Sequence, residues 1–408
     1  MSLSRVVMIN DASQARGGAT GLAVQLSHLL LERGIDVTFF CGDDGLAPDL
    51  IRAGATLVAA GRDKLLSRSA LDAATRGLRD TNMRDLLARH IAEHDTPGTV
   101  YHVHGWAQIL SPAIFEALQP VAARTFIHAH DMFLACPNGV YMDYRRREIC
   151  TRRPLSLSCL STHCDKRSRV HKAWRVLRQL SLHRSLPRKA PWAGVLAIHP
   201  AMLDALARAG YPREILKLAR NPATAFSTNR VPAEDNTALY YIGRLERDKG
   251  VIDLAQSAAR VGMPLIFVGE GVMRPELERD FPQFQITGWQ DRATLGGLVQ
   301  KARALVIPSR HPEPFGLVIA EAVQSGLPVA VADTALLASE VVDHGLGTTF
   351  DVYDPESLDT ALRRIRDLSV DEMRAMSTRG FASAGVLANT AEGWVDQLIE
   401  GYTGALHT

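Results

Sequence analysis

The chain predicts an α/β protein built from two doubly wound, Rossmann-like domains. Two observations carry this. Short apolar strands alternate with amphipathic helical stretches along nearly the whole chain, the pattern of parallel sheets covered by helices. At 408 residues the chain is also too long for one hydrophobic core, and two domains of about 200 residues are the natural division.

In the first half, residues 6–9 read as strand one, followed by a glycine-bearing loop and a helix over 19–32. Strands follow at 37–40, 56–59, 100–103, 124–128 and 195–198. The second half restarts with strands at 239–242, 265–268, 285–286, 304–307 and 329–332, with helical stretches at 251–260 and 292–301 between them. The break falls in the aperiodic, proline-bearing stretch 221–236. This gives domains 1–222 and 223–388, a remaining segment 389–408, and an insert over 131–190. Two such halves are expected to face a central cleft, with ligands at the carboxyl ends of the strands.

Composition bounds the class. With 46% hydrophobic and 22% charged residues, the chain is globular rather than disordered or collagen-like. No apolar run reaches the roughly 18 residues that span a bilayer. The N-terminus lacks a long apolar region and a cleavage site, so a cytoplasmic protein is expected, without stable disulfides among its five cysteines. Net charge is +2, yet residues 141–190 carry 14 Lys/Arg against 3 Asp/Glu, leaving the rest of the chain acidic. A basic face meeting something anionic follows from that asymmetry.

The most informative stretch is Pro308-Ser309-Arg310-His311-Pro312-Glu313-Pro314-Phe315-Gly316-Leu317-Val318-Ile319-Ala320-Glu321. A buried strand ends at Pro308, prolines stiffen the loop, and a helix opens after Gly316. The helix start offers N–H groups and the positive end of a dipole to a phosphate. Glu313 precedes this anion site and Glu321 lies about two turns along the helix. Each carboxylate can accept hydrogen bonds from paired hydroxyls, one of a sugar and the other of a ribose. The alternative is a dipole partner and a solvated helix face.

Other loops extend the pattern. Arg244 and Lys249 in Gly-Arg-Leu-Glu-Arg-Asp-Lys-Gly can together neutralise a diphosphate, or simply form a charged turn. Gly17 and Gly18 open the first helix, either for ligand approach or for room against the sheet. They do not match Gly-x-Gly-x-x-Gly, which argues against a dinucleotide enzyme. Gly269 and Gly288 end successive strands, Gly288 beside a Trp289 that can serve as wall packing. His102, His104, His128 and His130 end two strands of the first half, His130 followed by Asp131.

The Glu313–Glu321 segment and the Arg244–Lys249 loop resemble the donor site of retaining GT-B glycosyltransferases, family 4 in particular. The resemblance implies that Arg244 and Lys249 hold the donor diphosphate and that the nucleotide base lies near Gly269 and Gly288. It puts His130 near the donor sugar and the transferring phosphate, and folds the last helix back onto the first domain. The implied reaction moves a sugar from a nucleotide-sugar (UDP- or GDP-linked) to a polysaccharide, glycolipid or lipid-linked acceptor. The configuration is kept and the leaving phosphate assists on the front face. Catalysis would rest on His130, Glu313, Arg244 and Lys249, and donor contacts on Gly17, Gly18, Gly269, Gly288, Phe315, Gly316, Leu317, Val318 and Glu321. No Asp-x-Asp motif is present where a metal-dependent enzyme of the other fold carries one, so no catalytic metal is required.

The insert holds Cys136, Cys150, Cys159 and Cys164, four thiols within 29 residues. Structural zinc, packed free thiols and redox pairs remain open. Its basic helix over 168–186 sets Val170, Trp174, Leu177 and Leu180 on one face with Arg169, Lys172, Arg175 and Arg178 around it. That pattern suits an anionic membrane surface on the inner face, or packing on the first domain. Two further functions stay in view: a nucleotide-sugar epimerase, and a zinc-stabilised nucleic-acid-binding protein. The second explains neither the Arg244–Lys249 loop nor the two glutamates, so no nucleic-acid partner is expected.

Overall fold

The computed structural model describes residues 2–14 and 18–407. The chain forms two compact units, residues 1–220 together with 392–408, and Asn221–Ala391. Gly17 lies outside the described residues.

The first unit is built on a seven-stranded sheet, parallel throughout. Its strands are β1 (Arg5–Asn10), β2 (Asp36–Cys41), β3 (Thr56–Ala59), β4 (Thr99–Val103), β5 (Thr125–Ala129), β8 (Gly194–Ala197) and β9 (Leu216–Leu218). A two-stranded hairpin in the insert, β6 (Met142–Asp143) with β7 (Glu148–Ile149), interrupts the series. The order β3-β2-β1-β4-β5-β8-β9 reverses direction between β1 and β4, so a crevice opens at the carboxyl ends of those two strands. Every residue of β4 and β5 is buried, as expected for central parallel strands covered on both faces. The helix Gly18–Glu32 buries Leu22, Ala23, Leu26 and Leu30, the spacing of one helical face. The last helix, Ala391–Ala405, buries Trp394, Val395, Leu398 and Tyr402. Tyr402 Oη reaches His102 Nδ1 in β4, so this helix is part of the first unit's core.

The basic helix of the insert spans Arg169–Ser185, capped by the Ser168 hydroxyl. Its orientation corrects the expected amphipathic face. Lys172, Arg178, Gln179 and Leu182 point inward, whereas Val170 and Leu177 are exposed. Arg178 donates to Gly77 O at 2.9 Å and lies over the rings of Trp106 and Trp174. Arg175 donates to Asn138 O and pairs with Asp165 at 3.0 Å. Long basic side chains bury their stems and stack their guanidinium groups, so these residues serve packing, not a free basic face.

The second unit repeats the plan with six parallel strands: β10 (Ala238–Ile242), β11 (Leu265–Val268), β12 (Gln285–Ile286), β13 (Ala302–Ile307), β14 (Val329–Ala332) and β15 (Gly347–Phe350). Their order, β12-β11-β10-β13-β14-β15, reverses between β10 and β13. The edge strand β15 and, in the first unit, β9 have no counterpart in the strand pattern read from sequence.

Candidate functional site

In the second unit, the loops after β10 and β13 meet at the reversal point. Arg310 N donates to Asp248 O at 2.9 Å. Gly250, with φ 70°, is left-handed, and a Cβ there would sit 1.9 Å from Pro308 O. Only glycine permits that approach. The loop 308–316 is braced from below: Arg310 pairs with Asp253 through two contacts of 2.6 Å, and Leu336 N donates to Glu313 O at 3.1 Å.

This bracing sets Lys249 Nζ directly against Glu313 Oε1, with both side chains mostly buried. Ser309 Oγ donates to the same oxygen at 2.7 Å and His311 Nε2 lies 3.7 Å away. Burial pushes the Glu313 carboxyl up, but the Lys249 ammonium, His311 and the two hydrogen bonds outweigh it, and the net direction is down. Lys249 is therefore no free loop cation: it is already paired with the carboxylate beside it.

Phe315 is buried and Gly316, at φ 66°, caps the helix Leu317–Gln324 without a side-chain cap. Glu321 faces Arg292, whose Nη1 donates at 3.0 Å, while Nη2 of the same guanidinium holds the Thr224 and Ala225 carbonyls. Burial raises the Glu321 carboxyl against the pull of Arg292, and the net direction is up. Arg292 was not singled out from sequence, and its one local signal is its place right after Asp291, the cap of its helix. Arg244 is 69% exposed at its side chain and pairs with its neighbour Glu246. It is the more available of the two expected diphosphate cations.

Gly269 and its neighbour Gly271 are required by close backbone contact. A Cβ on Gly269 would lie 1.9 Å from Gly243 O, and one on Gly271 2.3 Å from Leu245 O. Gly269 N donates to Gly288 O at 2.9 Å. The turn at Gly269–Gly271 is therefore explained by packing alone, whereas Gly288 is favoured by its left-handed backbone at φ 76°. Trp289 is 70% exposed, so it is not packed into a wall.

In the first unit, His102, His104, His128 and His130 form one stack at the ends of β4 and β5. His104 Nδ1 lies 2.9 Å from His130 Nε2, and His128 Nδ1 lies 3.2 Å from His102 Nε2. Ligand atoms of His102, His104 and His128 lie within 4.8 Å of one another, close enough to share a metal ion. Burial holds all four below the ordinary imidazole range, His130 at about 3, so the stack is neutral near pH 7. Burial also pushes Asp131 up to about 6, opposed by a hydrogen bond from Phe133 N and reinforced by Asp11. The Asp11 carboxylate accepts three backbone N–H groups, from Gln108, Ile109 and Leu110, each at 2.8 Å. Asp11 is a second anchor that sequence reading missed. Gly18 has φ 61° and nothing within 4 Å of where a Cβ would sit, so close packing does not explain it. Cys136, Cys150, Cys159 and Cys164 are free and buried and line one small cavity.

Residues 224–381 match the family described as glycosyl transferases group 1. A glycogen synthase of Mycobacterium tuberculosis is 32% identical over 166 residues, 38% of this chain and 39% of that protein's length. Among solved structures, sucrose-phosphate synthase of Thermosynechococcus elongatus aligns with TM-score 0.69 at 16% identity, covering 98% of both chains. HepE of Anabaena, solved in complex with UDP and glucose, aligns with TM-score 0.66 at 15% identity over 97% of this chain and 98% of that one. At such identities the likeness is one of fold. The chain has the two-domain GT-B fold of glycosyltransferases, and its second unit carries the glycosyl transferases group 1 domain.

Proposed function

We propose that the chain is a retaining glycosyltransferase that takes its sugar from a nucleotide-diphosphate sugar and needs no catalytic metal. The observation that carries this reading is the Lys249–Glu313 pair beside the start of the Gly316 helix, at the strand-order reversal of a glycosyl transferases group 1 domain. Breaking the sugar–phosphate bond builds negative charge on the leaving diphosphate. Arg244, Lys249 and the N–H groups at Leu317 and Val318 would stabilise that charge.

The resting ion pair gives the site its donor logic. When the diphosphate arrives, Lys249 turns its charge to the phosphates, and Glu313 is freed to accept hydrogen bonds from sugar hydroxyls. Glu321, held by Arg292, grips the ribose. Burial shifts its carboxyl upward, and hydroxyls of a diol donating to the carboxylate would offset part of that desolvation. In the first unit, neutral His130 serves the sugar as a hydrogen-bond donor through Nδ1, the tautomer that holds when His104 Nδ1–H donates to His130 Nε2.

The acceptor is a lipid-linked saccharide at an anionic membrane surface. With Lys172, Arg175 and Arg178 engaged in packing, the contact would come from exposed Val170 and Leu177 together with exposed Arg169 and Arg184.

Thermal shift against UDP-, GDP- and ADP-sugars tests the donor reading. A donor at 100 times Kd stabilises by about 2.7 kcal/mol, and NMR of the transferred product reports the anomeric configuration. Interconversion of donor sugars without transfer would identify an epimerase instead. An inverted product would remove the retaining mechanism.

A further inference from the structure

The insert buries Met132, Leu134, Tyr141 and Met142, but from residue 143 to 168 its buried apolar side chains are those of three cysteines. Between Asp131 and Ser168 its regular elements are the two-residue strands β6 and β7 and the helix Leu157–Ser161. Ile149, Leu157 and Leu160 are exposed rather than buried. Among the described residues, all three non-glycine residues with left-handed backbone lie here: Tyr141 (φ 51°), Arg147 (φ 59°) and Leu155 (φ 59°). Such conformations cost energy and persist only where surroundings impose them.

What the segment does hold in common is sulfur. Cys136 precedes the hairpin, Cys150 follows its second strand, Cys159 sits on the short helix and Cys164 just beyond it. All four line a cavity of about 10 Å³, room for one water-sized sphere. Each sulfur has a polar neighbour. Lys172 Nζ lies 3.3 Å from Cys164 Sγ and 3.6 Å from Cys159 Sγ, and Arg152 Nη1 lies 3.6 Å from Cys150 Sγ. Asn138 accepts from Cys136 Sγ at 3.0 Å and places Nδ2 3.6 Å from Cys164 Sγ.

We propose that Cys136, Cys150, Cys159 and Cys164 bind one structural Zn²⁺ that holds the insert together. Four thiols losing four protons give a tetrathiolate whose charge with Zn²⁺ is −2. The Lys172 and Arg152 side chains then face that charge as N–H donors to sulfur, the outer support such sites need. Lys172 is a lysine buried on a helix with thiols for its neighbours, which neutral cysteines do not account for. Tetrahedral Zn–S bonds of about 2.3 Å draw the sulfurs inward around a single ion.

The test is elemental analysis of the full-length protein purified under reducing conditions without added metal, paired with titration by an organomercurial. One zinc per chain is expected, released as four of the five cysteines react. Cys41→Ser, which changes the one cysteine outside the insert, should keep that zinc, whereas Cys150→Ser and Cys164→Ser should lose it. If those variants fail to fold, Co²⁺ exchanged into the wild type should show thiolate charge-transfer and tetrahedral d–d bands. Folded protein with five free thiols and no zinc, two disulfides, or iron in place of zinc would each overturn the proposal.

Discussion

Lys249→Met isolates the ion pair at the centre of the second unit. It removes the ammonium and leaves the Glu313 carboxylate, whose side chain is only 15% exposed, facing Ser309 and His311. Breaking a buried pair by deleting one partner costs roughly 3–5 kcal/mol, because the other charge stays desolvated. The remaining contacts at 2.7 and 3.7 Å place this case near the lower end, about 3 kcal/mol. For a unit of this size each kcal/mol moves the transition by roughly 2–4 °C, so calorimetry near pH 8 should show it about 6–12 °C lower.

The pH dependence gives the sharper check. In the wild type Glu313 is held below its ordinary value, so its stabilisation is present above that value and is lost as pH falls through the folded one. In the variant, burial is opposed only by Ser309 and His311 and pushes the carboxyl up. Its cost is then felt at high pH and disappears as the group protonates. The gap between the two proteins should therefore narrow toward pH 4.5. The double variant Lys249→Met/Glu313→Gln should recover most of the loss, since no charge is left buried. An equal gap at both pH values, or a double variant no better than the single one, would refute the reasoning.

Arg244→Ala should lower donor turnover by roughly 10²-fold in a transfer assay, as when a charge-assisted contact to a developing anion is lost. Its exposed side chain means the melting curve should not move. Glu321→Gln should chiefly raise the donor KM, since a ribose contact is shared by ground and transition states; a fall in kcat at constant KM would assign it to the reacting sugar. Asp131, raised to about 6, binds its proton more tightly folded than unfolded, so it makes the protein less stable as pH climbs from about 4 to 6. Asp131→Asn should remove that contribution, up to about 3 kcal/mol, seen as a flatter curve of denaturation midpoint against pH.

Much of the fold was legible because central parallel strands are continuous apolar runs with glycine or proline at their ends. That signal fails at two of the four sheet edges: β15 reads Gly-Thr-Thr-Phe and β9 is Leu-Lys-Leu, each too short or too polar to stand out. The loops carrying Arg244, Lys249 and Glu313, and the start of the helix carrying Glu321, were legible too, because proline and glycine mark them. Their pairing was not. Lys249 and Glu313 are 64 residues apart, and Arg292 reaches Glu321 from a helix with no distinguishing motif. The Arg169–Ser185 helix misled for a different reason. Hydrophobic periodicity counts arginine as solvent-facing, but Arg178 finds a carbonyl and two indole rings below it, which leaves Val170 and Leu177 outside.

The join between the units has a practical consequence. Asn389 N donates to Asn221 O at 3.0 Å, Ala223 N donates to Asn389 O at 3.2 Å, and Pro222 and Asn389 form a parallel bridge. The polypeptide thus enters and leaves the second unit at nearly one spot. Domains whose ends meet tolerate grafting and circular permutation. Residues 221–391 make a self-contained cassette: a short linker could close the ends into a new loop and reopen the chain elsewhere, or the piece could replace its counterpart in another enzyme of this fold.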